Sequence, residues 1–280
     1  MEQAIFILLL ASALLHATWN LILKSAPDKP VAVMAIFFTS LPLALAGLAI
    51  AGIPRLEVLP VVLLSAAIQT GYNISLFKAY TIGQLSSIYP VARGSAPLFV
   101  FVISLGLFGS EVSKDTALGI AVICAGLVTY GLVQLRRDGF HKKELLLALA
   151  NGLCIALYSL TDAYGTRLAG NAVSFLGMMA VFNRAFLFAY LYFFEIDFLP
   201  RLISGFDRRY IIGGLISFAC YLIILFSYQH MPVPVVSAIR ETSIIFAVIL
   251  GAIFLKEKIF WEKIGLVATV LCGLLVLNPF

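Results

Sequence analysis

Residues 93–111 read RGSAPLFVFVISLGLFGSE, and residues 240–257 read RETSIIFAVILGAIFLKE. Each begins with an arginine and small or polar residues, continues as an apolar run, and ends on a glutamate. A run of this kind has the length and composition of a helix buried in hydrocarbon, and its charged first residue lies inside the apolar stretch rather than at its edge. Two such segments, one in each half of the chain, set the terms for reading the rest.

The whole sequence has that character. Of 280 residues, 62% are hydrophobic and 12% charged, with mean hydropathy +1.04. A soluble domain is about 45–50% apolar and about 25% charged, and could not hide this much apolar surface. Disorder is excluded on the same grounds. A transmembrane β-barrel would show short segments of alternating polarity. The chain instead contains apolar runs near 20 residues, which identify an all-α polytopic membrane protein.

Ten transmembrane helices are expected: Ala4–Leu23, Val31–Ile53, Leu59–Tyr80, Ser87–Phe108, Thr116–Gln134, Leu145–Tyr164, Val173–Phe194, Tyr210–Gln229, Val233–Phe254 and Phe260–Leu277. Connections are short, the longest being residues 136–144 and 195–209. The first run has only Glu2 as a charged residue before it and contains His16, Trp19 and Asn20, so it reads as a retained helix rather than a signal peptide. Cys124, Cys154, Cys220 and Cys272 all lie in apolar runs without CxxC spacing, which favours packing over a disulfide or zinc role.

The halves repeat each other in order. ASALLHATWNL from Ala11 parallels ANGLCIALYSL from Ala150. Met34–Phe37 parallels Met179–Phe182. Tyr72 with Leu76 and Phe77 parallels Tyr221 with Leu225 and Phe226. Arg93 parallels Arg240, and Glu111–Gly119 parallels Glu257–Gly265. The expected division is 1–137 and 138–280, two five-helix repeats forming one transport unit. An odd number of spans per repeat makes the second enter from the opposite side, giving inverted repeats about an axis in the membrane plane. Secondary transporters use that plan, with substrate near the midplane.

Net charge is +5, from 19 Lys and Arg against 14 Asp and Glu. The basic residues sit mainly in loops, where they interact with lipid headgroups and set topology; nucleic acid is not an expected partner. Lys24, Lys29, Arg136, Arg137, Lys142, Lys143, Arg201, Arg208, Arg209, Lys256, Lys258 and Lys263 fall on one side, and little beyond Arg55, Lys114 and Arg167 on the other. The positive-inside rule puts the richer side, including loop 136–144, in the cytoplasm and both termini outside.

Polar side chains within the spans are costly and point to function. His16, Trp19 and Asn20 share a helix face; so do Gln69, Tyr72 and Asn73, and again Tyr158, Thr161 and Asp162. Such faces line a cavity or hydrogen-bond between helices. Tyr89, Arg93 and Pro97 share a face of the fourth span, where Pro90 and Pro97 are expected to bend the helix. Arg240 follows Pro232 and Pro234 at the equivalent position, with Glu241 beside it but about 100° around the helix. Each arginine is either a substrate group or is held by buried carboxylates or carbonyls. For Arg184, neutralisation by Asp162 and a ligand role stand side by side. Lys78 reads as a snorkelling residue, and Lys256, Glu257, Lys258, Glu262 and Lys263 as a solvated turn. No catalytic constellation, metal-ligand spacing or Walker A motif appears.

The segments from Tyr89 and Arg240, the five-span repeats and the Gly119–Gly126 and Gly265–Gly273 spacings resemble the drug/metabolite transporter superfamily, EamA type. The resemblance implies ten helices, alternating access, and a cavity lined by spans 1, 3, 4, 6, 8 and 9. It also implies cytoplasmic termini, opposite to the charge count. The expected function is a multi-pass secondary transporter of the plasma (inner) membrane for a small metabolite with an anionic group, such as an amino acid, carboxylate or phosphonate. A lipid-linked carrier flippase and a membrane-embedded enzyme are the alternatives. The candidate substrate-binding residues are His16, Trp19, Asn20, Gln69, Tyr72, Asn73, Tyr89, Arg93, Tyr158, Asp162, Arg184, Tyr221, Arg240 and Glu241, with Tyr221 placed by its match to Tyr72. No cofactor or metal is expected. Glu241, Asp162 and His16 are the candidates for proton coupling. Membrane lipid and the substrate are the expected partners of a monomer or homodimer.

Overall fold

Thirteen α-helices account for nearly all the described residues of the computed structural model, which are 2–82, 85–108, 113–137, 142–195 and 197–277, with side chains described except at residues 2, 76–82, 85–90, 107, 108 and 144. In chain order they are α1 (Glu2–Ser25), α2 (Lys29–Thr39), α3 (Leu41–Ala51), α4 (Leu59–Ile82), α5 (Leu85–Phe108), α6 (Lys114–Arg137), α7 (Lys142–Ala169), α8 (Ala172–Phe194), α9 (Phe198–Ser204), α10 (Arg209–His230), α11 (Val233–Arg240), α12 (Ser243–Phe254) and α13 (Trp261–Leu277). Eight stretches of the described residues are long and apolar enough to cross a membrane. The protein is a multi-pass membrane protein, with large apolar side chains such as Ile50, Trp261 and Leu275 on its outer surface, each more than 80% exposed.

Two of the spans expected as single helices are broken. The second divides into α2 and α3 at Ser40. Pro42, in the first turn of α3, has no N–H and its ring excludes the bond to the carbonyl four residues earlier. The Ser40 N–H bonds to the Phe37 carbonyl at 3.2 Å, and beyond the proline the ladder resumes from Ala44 N–H to the Ser40 carbonyl. The ninth divides into α11 and α12 without a proline at the break. Glu241, Thr242, Ile244 and Ile245 N–H groups each bond three residues back, at 3.0–3.1 Å, a tightened 3-10 turn. The Thr242 hydroxyl donates to the Ile239 carbonyl at 2.7 Å and fixes that turn.

The fourth span, where the sequence leads to a bend at Pro90 and Pro97, is one continuous helix, α5, through both prolines. Pro232 and Pro234 start α11, at its N-cap and in its first turn, where a missing N–H costs nothing.

Small residues let helices meet backbone to backbone. A Cβ on Gly119 of α6 would lie 2.6 Å from the Leu277 Cα of α13. One on Gly273 of α13 would lie 2.5 Å from Ile123 Cγ1 and 2.9 Å from the Gly119 carbonyl. The α3–α8 contact is built likewise, with Gly47 against Val173 and Gly177 against Ala44 and Leu48. Close packing of this type holds helices together in lipid, where there is no hydrophobic drive between them. Helix α1 packs on α10 and α12, and α7 packs on α4 and α5; α2 packs on α10, and α8 on α4. These contacts enclose the polar centre described next.

Candidate substrate cavity

The middle portions of α1, α4, α5, α7, α8 and α10, with the end of α11, surround a cavity of about 130 Å³. This is close to the ~150 Å³ of a cavity that holds benzene. It brings together eleven of the residues expected at a site: His16, Trp19, Asn20, Gln69, Tyr72, Asn73, Arg93, Tyr158, Arg184, Tyr221 and Arg240. Their helical spacing explains this. The i, i+3, i+4 sets on α1 and α4 each place three side chains on one face, and α7, packed on α4, adds Tyr158. Trp19 stands edge-on to His16 at 5.3 Å between ring centres, and Tyr72 to Tyr158 at 5.9 Å. The Tyr89 side chain lies outside the described residues.

Asp162 and Glu241 do not line this cavity; they stand behind it. Asp162 accepts hydrogen bonds from Gln69 Nε2 at 2.9 Å and from the Ser65 and Tyr221 hydroxyls. Glu241 Oε2 is 3.0 Å from Arg93 Nε, and both side chains are almost fully buried. Arg93 Nη2 also donates to Ser243 Oγ at 3.2 Å. The break between α11 and α12 makes this pair possible by presenting Glu241 and Ser243 to α5.

The other two arginines are held by neutral groups. Arg240 Nη1 donates to the Tyr228 hydroxyl at 3.1 Å and to Ser159 Oγ at 3.5 Å. Arg184 donates to the carbonyls of Phe37 and Ala180 and to Ser40 Oγ, at 2.9–3.3 Å, with its guanidinium over the Phe37 ring. It thus ties down the α2–α3 break. The pairing of Arg184 with Asp162, one of two readings of the sequence, is not formed; each is engaged elsewhere. Among the described residues the buried Arg, Lys, Asp and Glu side chains of this centre are three arginines and two carboxylates, so one positive charge is left over when these five are ionised.

The spacing rule would have found two residues that sequence reasoning missed. Ser65 lies four residues before Gln69, and Tyr228 seven after Tyr221, each on the same helix face as its partner. Ser159, Asn183 and Phe37 carried no comparable signal. Asn183 Nδ2 donates to Thr70 Oγ1 at 3.1 Å.

One end of the bundle is tied across the cavity. Arg167, in the last turn of α7, donates to the Tyr228 and Met231 carbonyls, and Gln229 to the Thr166 carbonyl. Toward the other end the cavity adjoins a groove of about 400 Å³ between α1 and α12, with which it shares His16, Asn20, Leu23 and Arg93. Lys24, Lys29, Glu257 and Lys263 stand at the groove's rim. Glu257 is salt-bridged to Lys24 and, at 3.2 Å, to Lys263. These residues therefore link α1, the α12–α13 turn and α13, rather than forming the simple solvated turn expected. Partial burial pulls the Glu257 carboxyl up, but hydrogen bonds from the two lysines outweigh it and hold the group below its ordinary value.

Residues 142–278 match the EamA-like transporter family. No curated protein matches the sequence. A solved structure described as "Crystal structure of protein" superposes with TM-score 0.78 and 17% identity, covering 99% of this chain and 98% of that one. At that identity the likeness speaks for the fold.

Proposed function

From the match of residues 142–278 to the EamA-like transporter family, we propose that the chain is a membrane transporter of that type and moves a small metabolite with an anionic group by alternating access. The observation that carries the anionic assignment is Arg240: its hydrogen bonds go to hydroxyls, while Glu241 is engaged by Arg93. A buried guanidinium without a carboxylate partner favours an anion, and its planar fork grips carboxylate or phosphate with two parallel bonds.

The halves are proposed to be inverted repeats, 1–137 and 138–280, with ten spans. The helix contacts support this reading. Exchanging α1 with α7, α2–α3 with α8, α4 with α10, α5 with α11–α12 and α6 with α13 carries α1 on α10 into α7 on α4. It also carries α1 on α12 into α7 on α5, and returns the glycine-mediated α3–α8 and α6–α13 contacts to themselves. The tied end at Arg167 and the rim at Lys24 fit a state open toward the 24–29 side. The plasma membrane is the proposed location. Protons are the proposed coupling ion, with Asp162, Glu241 and His16 as the exchanging groups.

Uptake into proteoliposomes, with carboxylates, phosphonates, neutral solutes and amines offered in parallel, tests the function. Anions are expected to be taken up, faster under a pH gradient, and Asp162→Asn, Glu241→Gln and His16→Gln are expected to reduce that response. Uptake confined to neutral or cationic solutes would overturn the anionic reading. Indifference to pH in the wild type and all three variants would overturn proton coupling.

A further inference from the structure

The groove between α1 and α12 opens from the same cavity but does not reach Arg240. Its walls are largely apolar: Ala247, Val248 and Leu250 of α12, Leu255 just after it, Leu21 of α1 and Leu266 of α13. The seam between cavity and groove is made by His16, Asn20, Leu23 and Arg93, which line both. At that seam His16 Nε2 is buried without a hydrogen-bond partner among the described residues, although a buried ring nitrogen is ordinarily satisfied. Its other nitrogen, Nδ1, lies 4.0 Å from the Cys220 sulfur, so the ring is held and Nε2 is the atom left for a ligand. The polar end holds the surplus positive charge; the other end is a long apolar wall with about three times the room.

We propose that cavity and groove are one site for an amphipathic organic anion, its charged group at Arg240 and His16 Nε2 and its alkyl or aryl tail along α12. This rests on the anionic reading of the inner cavity and adds the tail. Charge complementarity runs in the same direction, because the groove's rim carries Lys24, Lys29 and Lys263 against one carboxylate, Glu257. An amphipathic anion meets cations at the mouth, apolar wall along the way and arginine at the end.

The test uses the purified full chain in phosphatidylcholine nanodiscs, titrated calorimetrically with acetate, butyrate, hexanoate and octanoate, and with 1-octanol as the uncharged probe. Each methylene moved from water onto the apolar wall is expected to tighten binding roughly fourfold, so octanoate should bind more than 100-fold tighter than butyrate. Octanol should bind at least tenfold more weakly than octanoate. Ala247→Trp, which fills the groove, should flatten the chain-length dependence while butyrate binding stays. Val248→Phe is the smaller variant on the same wall, and it should cap the dependence at shorter chains even if Ala247→Trp does not fold. A flat dependence in the wild type, with butyrate bound, would overturn the tail site and leave the anion site standing. The same steep dependence in wild type and both variants would show partition into the bilayer and overturn it too. Octanol binding as well as octanoate would remove both the tail proposal and the anionic reading. Failure of every probe to bind would overturn the amphipathic assignment, with the anionic reading then decided by the uptake panel.

Discussion

Arg93 and Arg240 occupy matching places in the two proposed repeats, yet their surroundings differ. Arg93 sits in an unbroken helix with a carboxylate 3.0 Å away; Arg240 ends a short helix and touches hydroxyls. The difference comes from the next residue. In the first half it is Gly94, where a Cβ would fall 2.5 Å from Leu127 Cβ and 3.0 Å from the Val128 N, so the position serves the α5–α6 contact. In the second half it is Glu241, at a helix break, and it reaches across to the first half's arginine. The proposed repeats thus differ at the two arginines. Arg93 is paired with a carboxylate, and Arg240, held by hydroxyls, is the one we propose for the anion.

That contrast has a large consequence for stability. Arg93→Gln should leave Glu241 buried without its charge partner and cost about 3–5 kcal/mol, while the double variant Arg93→Gln with Glu241→Gln should recover most of the loss. Thermal unfolding in one detergent compares the three proteins; a double variant no more stable than the single would mean the pair is not what holds Arg93. Next in size is Gly94→Ala, which drives a methyl group into the Leu127 side of α6 and should cost about 1–3 kcal/mol. An unchanged unfolding temperature would show that the close α5–α6 approach is unnecessary.

The smallest effect is expected at the rim. Glu257 is partly exposed, so Glu257→Gln should cost less than about 1 kcal/mol near neutral pH. The sign with pH follows from the lowered value. A carboxyl held down in the folded state stabilises above its unfolded value, near 4.5 for glutamate, and that contribution disappears as pH falls through the folded value. The unfolding temperatures of wild type and Glu257→Gln should therefore converge as pH is taken from 7 toward 3. A gap that widens on acidification would contradict the ion pairs.

Much of the architecture was readable because hydrocarbon imposes a simple demand on a span's length and composition. The α2–α3 break could be anticipated at Pro42, whose missing donor has a fixed consequence. The α11–α12 break could not, because Glu241 and Thr242 carry no helix-stopping signal and the turn is stabilised locally by the Thr242 hydroxyl. The cavity-lining faces of α1 and α4 were visible from spacing within one helix. The Arg93–Glu241 pair was not, since 148 residues separate its members and only the packing of α11 and α12 against α5 and its neighbours brings them together. For the same reason Arg184 looked available to Asp162, although in the fold Ser40 and the Phe37 carbonyl reach it first.

The most direct test of this proposed division of labour is the affinity of an anion from the uptake panel for purified, folded Arg240→Gln and for the Arg93→Gln, Glu241→Gln double variant. A charge-assisted bond contributes about 1.5–3 kcal/mol, so Arg240→Gln should weaken binding roughly 10- to 100-fold, while the double variant, which removes one charge of each sign, should stay within about threefold of wild type. Unchanged affinity in Arg240→Gln, with the loss appearing in the double variant instead, would contradict the assignment of Arg240 as the anion's partner.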